Sequence, residues 1–571
     1  MTRSVGIGIQ SFEKIITIHN FYVDKTLFIK QWWESHDDVT LIIRPRRFGK
    51  TLNMSMLERF FSVEYAGQGD LFEGLNIWKE EKYRAMQGNY PVISLSFANV
   101  KENTFEKAQI RLFQIFSDLY TKNQYLRDSG MLTGKEKEYF DRISDTMAQT
   151  DAAICLHRLC DFMNRYYGRK VIILLDEYDT PMQEAYVNGY WNEAAAFMRN
   201  IFNSTFKTNP FLDKAVMTGI TSISKESFFS DLNNLKVITA VSNKYTEAFG
   251  FTQEEVSAAL HEFGLDEWES RVRDWYDGFT FGQRKGIYNP WSIICFLSEK
   301  RLAAYWANTS SGSLLDKLIR EGSRDIKIVM EDLLAGGVLS TKIDEQIVFS
   351  RLDCSEYAVW SLLLAGGYLR VEECILDPDT ETEEYMLKLT NKEVKLMFRN
   401  MIEGWFKNYV PAYNDFIKAL LSDDKKAMNH YMNKVALETF SSFDVGNKPS
   451  KHTEPERFYH GFVLGLIVEL SDRYVITSNR ESGFGRYDVV LKPKNASGYV
   501  CSPKDQCRDA IIIEFKVYDA EDESTLDDTV SAALCQIKEK HYAGALEAEG
   551  IAPEKIRSYG FAFKGKKVLI G

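Results

Sequence analysis

Cysteine is sparse and unpatterned in this sequence. Its eight residues, Cys155, Cys160, Cys295, Cys354, Cys374, Cys501, Cys507 and Cys535, include no Cys-x-x-Cys pair, and no histidine stands at zinc-ligand spacing. A zinc module or a disulfide framework is therefore not expected, and reduced thiols in a cytosol are. No apolar run is long enough to span a bilayer, and the opening MTRSVGIGIQSFEKI lacks the apolar core of a secretory signal. The expectation is a cytoplasmic protein with no membrane partner. A positive balance is missing too: the formal net charge is −11, so no global field draws the chain onto nucleic acid. Such binding would have to come from local clusters, and two are candidates: Arg44, Arg46 and Arg47 together, and Lys564, Lys566 and Lys567.

What is present is an ordinary globular composition, 45% hydrophobic and 26% charged, over 571 residues. Single cores stop growing beyond roughly 250–300 residues, so several domains are expected.

The stretch Val39 to Ser55 organises the chain. Val39 to Ile43 reads as a buried strand, and it leads through a Pro- and Gly-containing turn into Gly49-Lys50-Thr51 and an amphipathic segment from Leu52. This is the layout of a phosphate-binding loop. Backbone N–H groups and a helix start hold phosphate oxygens, a Lys pairs with the β and γ phosphates, and a Ser or Thr hydroxyl binds magnesium. The Gly expected five positions before Gly49 is replaced by Arg44. Arg resists positive φ, so a different loop path or a looser phosphate grip is expected.

A second run, Val171 to Leu175, is aliphatic throughout and ends at Asp176-Glu177, as a buried parallel strand does when it delivers carboxylates at its C-terminal edge. In a nucleotide hydrolase the first acid supports magnesium and the next polarises the attacking water. The next short strand, Lys214 to Thr218, ends in a polar tip. Thr218 or Thr221 could reach the γ phosphate there, or the tip is a plain turn of small residues. The order of strand, loop, helix, strand, helices, acidic strand, helix and polar-tipped strand predicts a parallel α/β sheet with right-handed crossovers. Thr252 with Glu255 predicts a capping box opening a further helix.

Residues 289–395 read as short helices followed by a β-hairpin, hence a winged-helix-like region, with an acidic turn at Asp377 to Glu381 that favours packing over nucleic-acid contact. Residues 396–450 read as a helical connector, and 451–571 as a separate α/β unit. There, Asp488 on one strand and Glu514-x-Lys516 on the next place two carboxylates and an ammonium at one sheet edge. Alternation along a strand puts Glu514 and Lys516 on one face and Phe515 on the other. Carboxylates that hold magnesium, with a Lys to orient or deprotonate water, suit phosphodiester cleavage. Glu456 is either a third metal ligand or part of a solvated helix face.

Several motifs together carry a resemblance: Arg44-Pro45-Arg46-Arg47-Phe48-Gly49-Lys50-Thr51, Tyr22-Val23-Asp24-Lys25-Thr26, Leu174-Leu175-Asp176-Glu177-Tyr178-Asp179, Leu232-Asn233-Asn234-Leu235 and Phe249-Gly250-Phe251-Thr252. The chain resembles a bacterial family of AAA-like ATPases fused to a C-terminal nuclease domain of the PD-(D/E)XK superfamily. The resemblance implies an α/β multidomain protein with a P-loop ATPase core over 1–288 and a restriction-endonuclease-like fold at the end. It puts Lys50 and Thr51 on phosphate and magnesium, and Asp176 and Glu177 at the hydrolytic centre. The whole expected site for ATP and Mg2+ is Arg46, Arg47, Phe48, Gly49, Lys50, Thr51, Asp176 and Thr218, with Arg46 and Arg47 either acting on phosphate in cis or contacting a neighbour. Asp488, Glu514 and Lys516 become the nuclease triad and Gln536 an accessory residue. In that family Arg at position 44 is the usual form of the loop.

The expected activity is a metal-dependent nuclease controlled by nucleotide state, with self-association through the ATPase domain and a role in defence against mobile elements by analogy. The other reading is a nucleotide-dependent switch or scaffold whose C-terminal domain binds nucleic acid or a partner without cutting. DNA and RNA stay equal as substrates.

Overall fold

The computed structural model describes residues 3–221, 232–306, 313–320, 324–345, 356–376, 378, 381–405, 410–443, 453–478, 481–482, 485–486, 489–495, 508–519, 523–564 and 567–571. They form two compact units: residues 1–310 with 339–394, and residues 311–338 with 395–571. The backbone therefore passes from one unit to the other three times, after Ser310, Val338 and Val394.

The first unit is built on five parallel strands, β1 (Val39–Ile43), β2 (Val92–Ser96), β3 (Val171–Asp176), β4 (Leu212–Gly219) and β5 (Leu235–Ile238), in the order β2-β3-β4-β1-β5. Every residue of β1 and of β3 is buried. That is why both are apolar without alternation apart from Thr40 and the terminal Asp176: helices cover both faces of a parallel sheet. All five strands end at one edge, where the ligand-binding crevices of open α/β sheets lie. Because β4 lies between β1 and β3, its tip shares this edge with the loop after β1 and the acids after β3.

Two small antiparallel sheets complete the unit. One is β6 (Phe251–Thr252), β7 (Asp277–Phe281) and β8 (Arg284–Tyr288), in the order β6-β8-β7. The other is β9 (Leu339–Thr341), β10 (Leu369–Leu376) and β11 (Glu383–Leu389), in the order β10-β11-β9. Between these segments, helix Gln253–Glu262 opens with the expected reciprocal capping box of Thr252 and Glu255. It packs with Val272, Tyr276, Ile293 and Phe296 into a second apolar cluster.

The second unit holds the mixed sheet β12 (Tyr474–Ser478), β15 (Val489–Pro493), β16 (Ala510–Val517), β17 (Ile556–Lys564) and β18 (Lys567–Ile570), in that order, beside a short pair β13 (Glu481–Ser482) and β14 (Gly485–Arg486). Among the described residues of this sheet only β16 and β17 pair in parallel. The outer edge at β18 is closed by helix Lys425–Phe443. Asn429 donates to Ile570 O and accepts from Ile570 N, at 2.7 and 2.8 Å. One turn later Asn433 does the same for Val568, at 2.6 and 2.9 Å.

No described helix is long and apolar enough to cross a membrane. The described cysteines, Cys155, Cys160, Cys295, Cys374 and Cys535, are free thiols.

Candidate functional site

The turn after β1 passes into helix Lys50–Phe61 through Gly49, whose φ of 79° is left-handed. A Cβ there would meet nothing within 4 Å, so glycine serves the backbone angle and not close packing. Arg47 and Glu177 are also left-handed, at φ 65° and 50°, so two strained non-glycine residues flank the same edge. Phe48 turns its ring inward against Phe279 and Phe281, leaving its peptide group in the loop.

Arg44 corrects the expectation of a basic surface patch. It is fully buried. Its guanidinium donates to the carbonyls of Ile43 and Thr239, both at 2.9 Å, and to those of Lys244 and Tyr245 at 3.3 and 3.4 Å, and it lies 4.2 Å above the Phe281 ring. Burial lowers its pKa to about 9. The side chain that displaces the usual glycine thus ties the loop to the segment after β5. Arg44→Gly is expected to destabilise this unit by about 3 kcal/mol, because it strands buried carbonyls. Chemical denaturation should show the first unfolding transition at lower denaturant. Arg44→Lys should rescue poorly, since an ammonium lacks the planar fork. Of the three arginines only Arg47 is exposed, and its guanidinium lies 4.2 Å from the Trp291 ring.

Lys50 is folded into its own loop, with Nζ 2.9 Å from the carbonyls of both Arg44 and Pro45. Burial lowers its pKa against the opposing pull of Glu177, Asp176 and Asp179. Thr51 donates to Asp176 Oδ2 at 2.6 Å, and Thr218 from the tip of β4 donates to Asp176 Oδ1. Burial pushes the Asp176 carboxyl up, while the two hydroxyls hold it down. Lys50, Thr51, Asp176, Glu177 and Thr218, distant in sequence, therefore converge at one edge. An ammonium in a loop of peptide groups fits a polyphosphate, and an adjoining hydroxyl and carboxylate are hard donors suited to magnesium.

Asp179, to which the sequence assigned no role of its own, is buried at this edge. Its Oδ2 accepts from Ile220 N, Thr221 N, Thr221 Oγ1 and Gln183 Nε2 at 2.7 to 3.0 Å. Thr221, offered as a phosphate contact, is thus committed to Asp179. The neighbouring Gly219 permits this: a Cβ there would come within 2.8 Å of Asp179 Oδ1 and 2.6 Å of the Tyr178 ring. Three of these four donors belong to Ile220 and Thr221, and they fix the residues after Thr218 to the acidic turn.

In the second unit Glu514 is 2% exposed near the end of β16, and Gln536 of helix Leu526–Glu539 donates to its Oε1. Phe515 points to the other layer, 5.3 Å from Phe561. The helix comes this close because the residue paired with Glu514 on β17 is Gly560, where a Cβ would meet Val530 O at 2.8 Å. Lys516 lies two residues on and is half-buried. Asp488 lies outside the described residues, as do the side chain of Glu456 and all of Lys566; Val489, the next residue after Asp488, pairs with Ile513 beside Glu514. Lys564 stands 3.5 Å over the Tyr518 ring. Among the described residues no three His, Cys, Asp or Glu side chains gather closely enough to hold a metal.

Two family models match parts of this chain. Residues 6–229 match a family described as a predicted AAA-ATPase, and residues 454–571 match the PD-(D/E)XK nuclease superfamily. An uncharacterized protein encoded in the vnfD 5' region of Azotobacter chroococcum mcd 1 is 25% identical, over 98% of this chain and 96% of its own length.

Proposed function

We propose that this chain, an AAA-ATPase-like domain joined to a C-terminal PD-(D/E)XK nuclease superfamily domain, is an ATP-hydrolysing protein whose nuclease is controlled by nucleotide state. The observation that carries the ATPase reading is the bond from Thr51 to Asp176, which unites loop and acidic strand in one hydroxyl–carboxylate pair. Lys50 and the loop peptides bind the phosphates, and Glu177 orients water. Bound Mg2+ would offset phosphate charge beside Thr51 and Asp176.

The bond between Glu514 and Gln536 supports the nuclease reading, since a helix is brought over the sheet to hold an acid in place. Asp488 and Glu514 would hold Mg2+, with Glu456 as a third ligand, and Lys516 would act on water. Nucleic acid is the substrate, and the cytosol, where the free thiols stay reduced, is the location. The order β10-β11-β9, with helix Glu356–Ala365 ahead of the β10–β11 hairpin, supports a winged-helix-like middle region. Self-association through the ATPase domain and a defence role belong to the same proposal.

The test is cleavage of single- and double-stranded DNA and RNA by wild type, Lys50→Ala and Asp488→Ala, with magnesium, with and without ATP. Cleavage lost in Asp488→Ala, and altered by ATP only where Lys50 is present, is the expected result. ATP turnover without cleavage under any condition would instead make the protein a nucleotide-dependent switch.

A further inference from the structure

We infer that helix Lys392–Trp405 is the lever by which the phosphate loop acts on the nuclease unit. This rests on the ATPase–nuclease reading and names its means of regulation. The helix begins in one unit and continues in the other: Val394 is the last residue of the first and Lys395 the first of the second stretch of the other. Its two ends are held by opposite machinery.

At its start, Glu393 is fully buried. It accepts from Trp306 N at 2.6 Å and from the Ser292 hydroxyl at 2.8 Å. The Trp306 indole in turn donates to Arg46 O, inside the phosphate loop, at 3.0 Å, and Asn289 donates to the same carbonyl at 3.3 Å. The Trp306 ring packs on Phe279, which packs on Phe48 of the loop. Arg46 of the phosphate loop is thus joined to Glu393 through Trp306, whose indole N–H and backbone N–H take the two ends, and beside it through Asn289 and Ser292. Trp306 also stands only a few residues before the chain first leaves this unit, at Ser310.

Farther along, Arg399 donates to Val468 O at 3.1 Å, on helix Thr453–Leu470, which leads into β12 of the nuclease sheet. Trp405 donates to Asp316 Oδ1 at 2.6 Å, on helix Ser313–Arg320, the segment lent to the second unit by the first. The bonds at its start lie within the first unit and those farther along within the second, all of them buried or half-buried, and the helix runs unbroken from one set to the other.

The trigger is local. Lys50 Nζ rests on the carbonyls of Arg44 and Pro45. A ligand whose phosphates draw it away frees the peptide groups adjoining Arg46, and the Arg46 carbonyl, held by Trp306, moves the lever's first turn. Only a ligand with different contacts in the two loop states can do this, which a polyphosphate has and a nucleoside lacks.

Hydrogen–deuterium exchange on the full chain tests this without needing cleavage. In wild type, a non-hydrolysable ATP analogue with magnesium should change exchange at least twofold in residues 395–405 and 313–335, and adenosine should not. Two variants are compared: Trp306→Phe, which keeps an aromatic ring at this buried position and removes the indole donor, and Lys395→Gly with Asn400→Gly, which softens the helix at two exposed positions and leaves every named contact. Both should bind the analogue with the response at 395–405 and 313–335 reduced to under half. An unchanged response in both variants, or none in wild type that demonstrably binds the analogue, overturns this inference alone. Failure of wild type to bind it overturns the ATPase reading and the lever together.

Discussion

Glu177→Gln is expected to bind ATP as wild type does and to lose hydrolysis by roughly 10²–10⁴-fold, the usual contribution of a positioned base. The substitution keeps size and shape and removes only the charge. Among the described residues the Glu177 carboxylate accepts one weak hydrogen bond, from the Thr180 hydroxyl at 3.3 Å. Asp176→Asn behaves differently, because Asp176 receives both Thr51 and Thr218, and an amide cannot accept at both positions. That variant should lose nucleotide affinity as well as turnover. Measuring binding of ATP and its single-turnover hydrolysis separates the two: a Glu177→Gln protein that turns over ATP near the wild-type rate would remove Glu177 from the chemistry.

Glu514→Gln should abolish cleavage and leave the protein folded. The oxygen that accepts from Gln536 is retained, so packing of helix Leu526–Glu539 on the sheet survives. The negative charge is lost, and with it an anchor for a cation worth several kcal/mol to phosphodiester chemistry, a drop of roughly 10³-fold. Removing a buried charge does not in itself weaken the unit. A gel assay of cleavage beside a thermal melt gives both readings. Residual cleavage within tenfold of wild type would mean that another acid carries the site.

How far the sequence could go depended on the range of the interactions. Val39 to Ile43 and Val171 to Leu175 were readable because burial on both faces leaves a mostly apolar run with no polar alternation. Thr252 with Glu255 was readable because a capping box is closed within one turn. Glu514 and Lys516 on one face, with Phe515 on the other, follow from the geometry of a strand. Arg44 was misread because arginine prefers solvent, and three of its carbonyl partners lie 195 to 201 residues away. Asp179 sits in a turn that looks solvated until β4 is known to lie against it. The passage of residues 311–338 into the other unit has no local signature, and neither does the pairing of Trp306 with Glu393.

The two asparagines on helix Lys425–Phe443 have a bearing on colloidal behaviour. Each presents a carbonyl and an amide in the positions a further strand's peptide group would take, and they do so at alternate residues, Val568 and Ile570. The helix therefore impersonates a strand. An exposed β18 would be a template on which strands of other chains could add without limit, the route by which folded proteins polymerise. Two side-chain amides, one turn apart, close that route while spending no backbone on it.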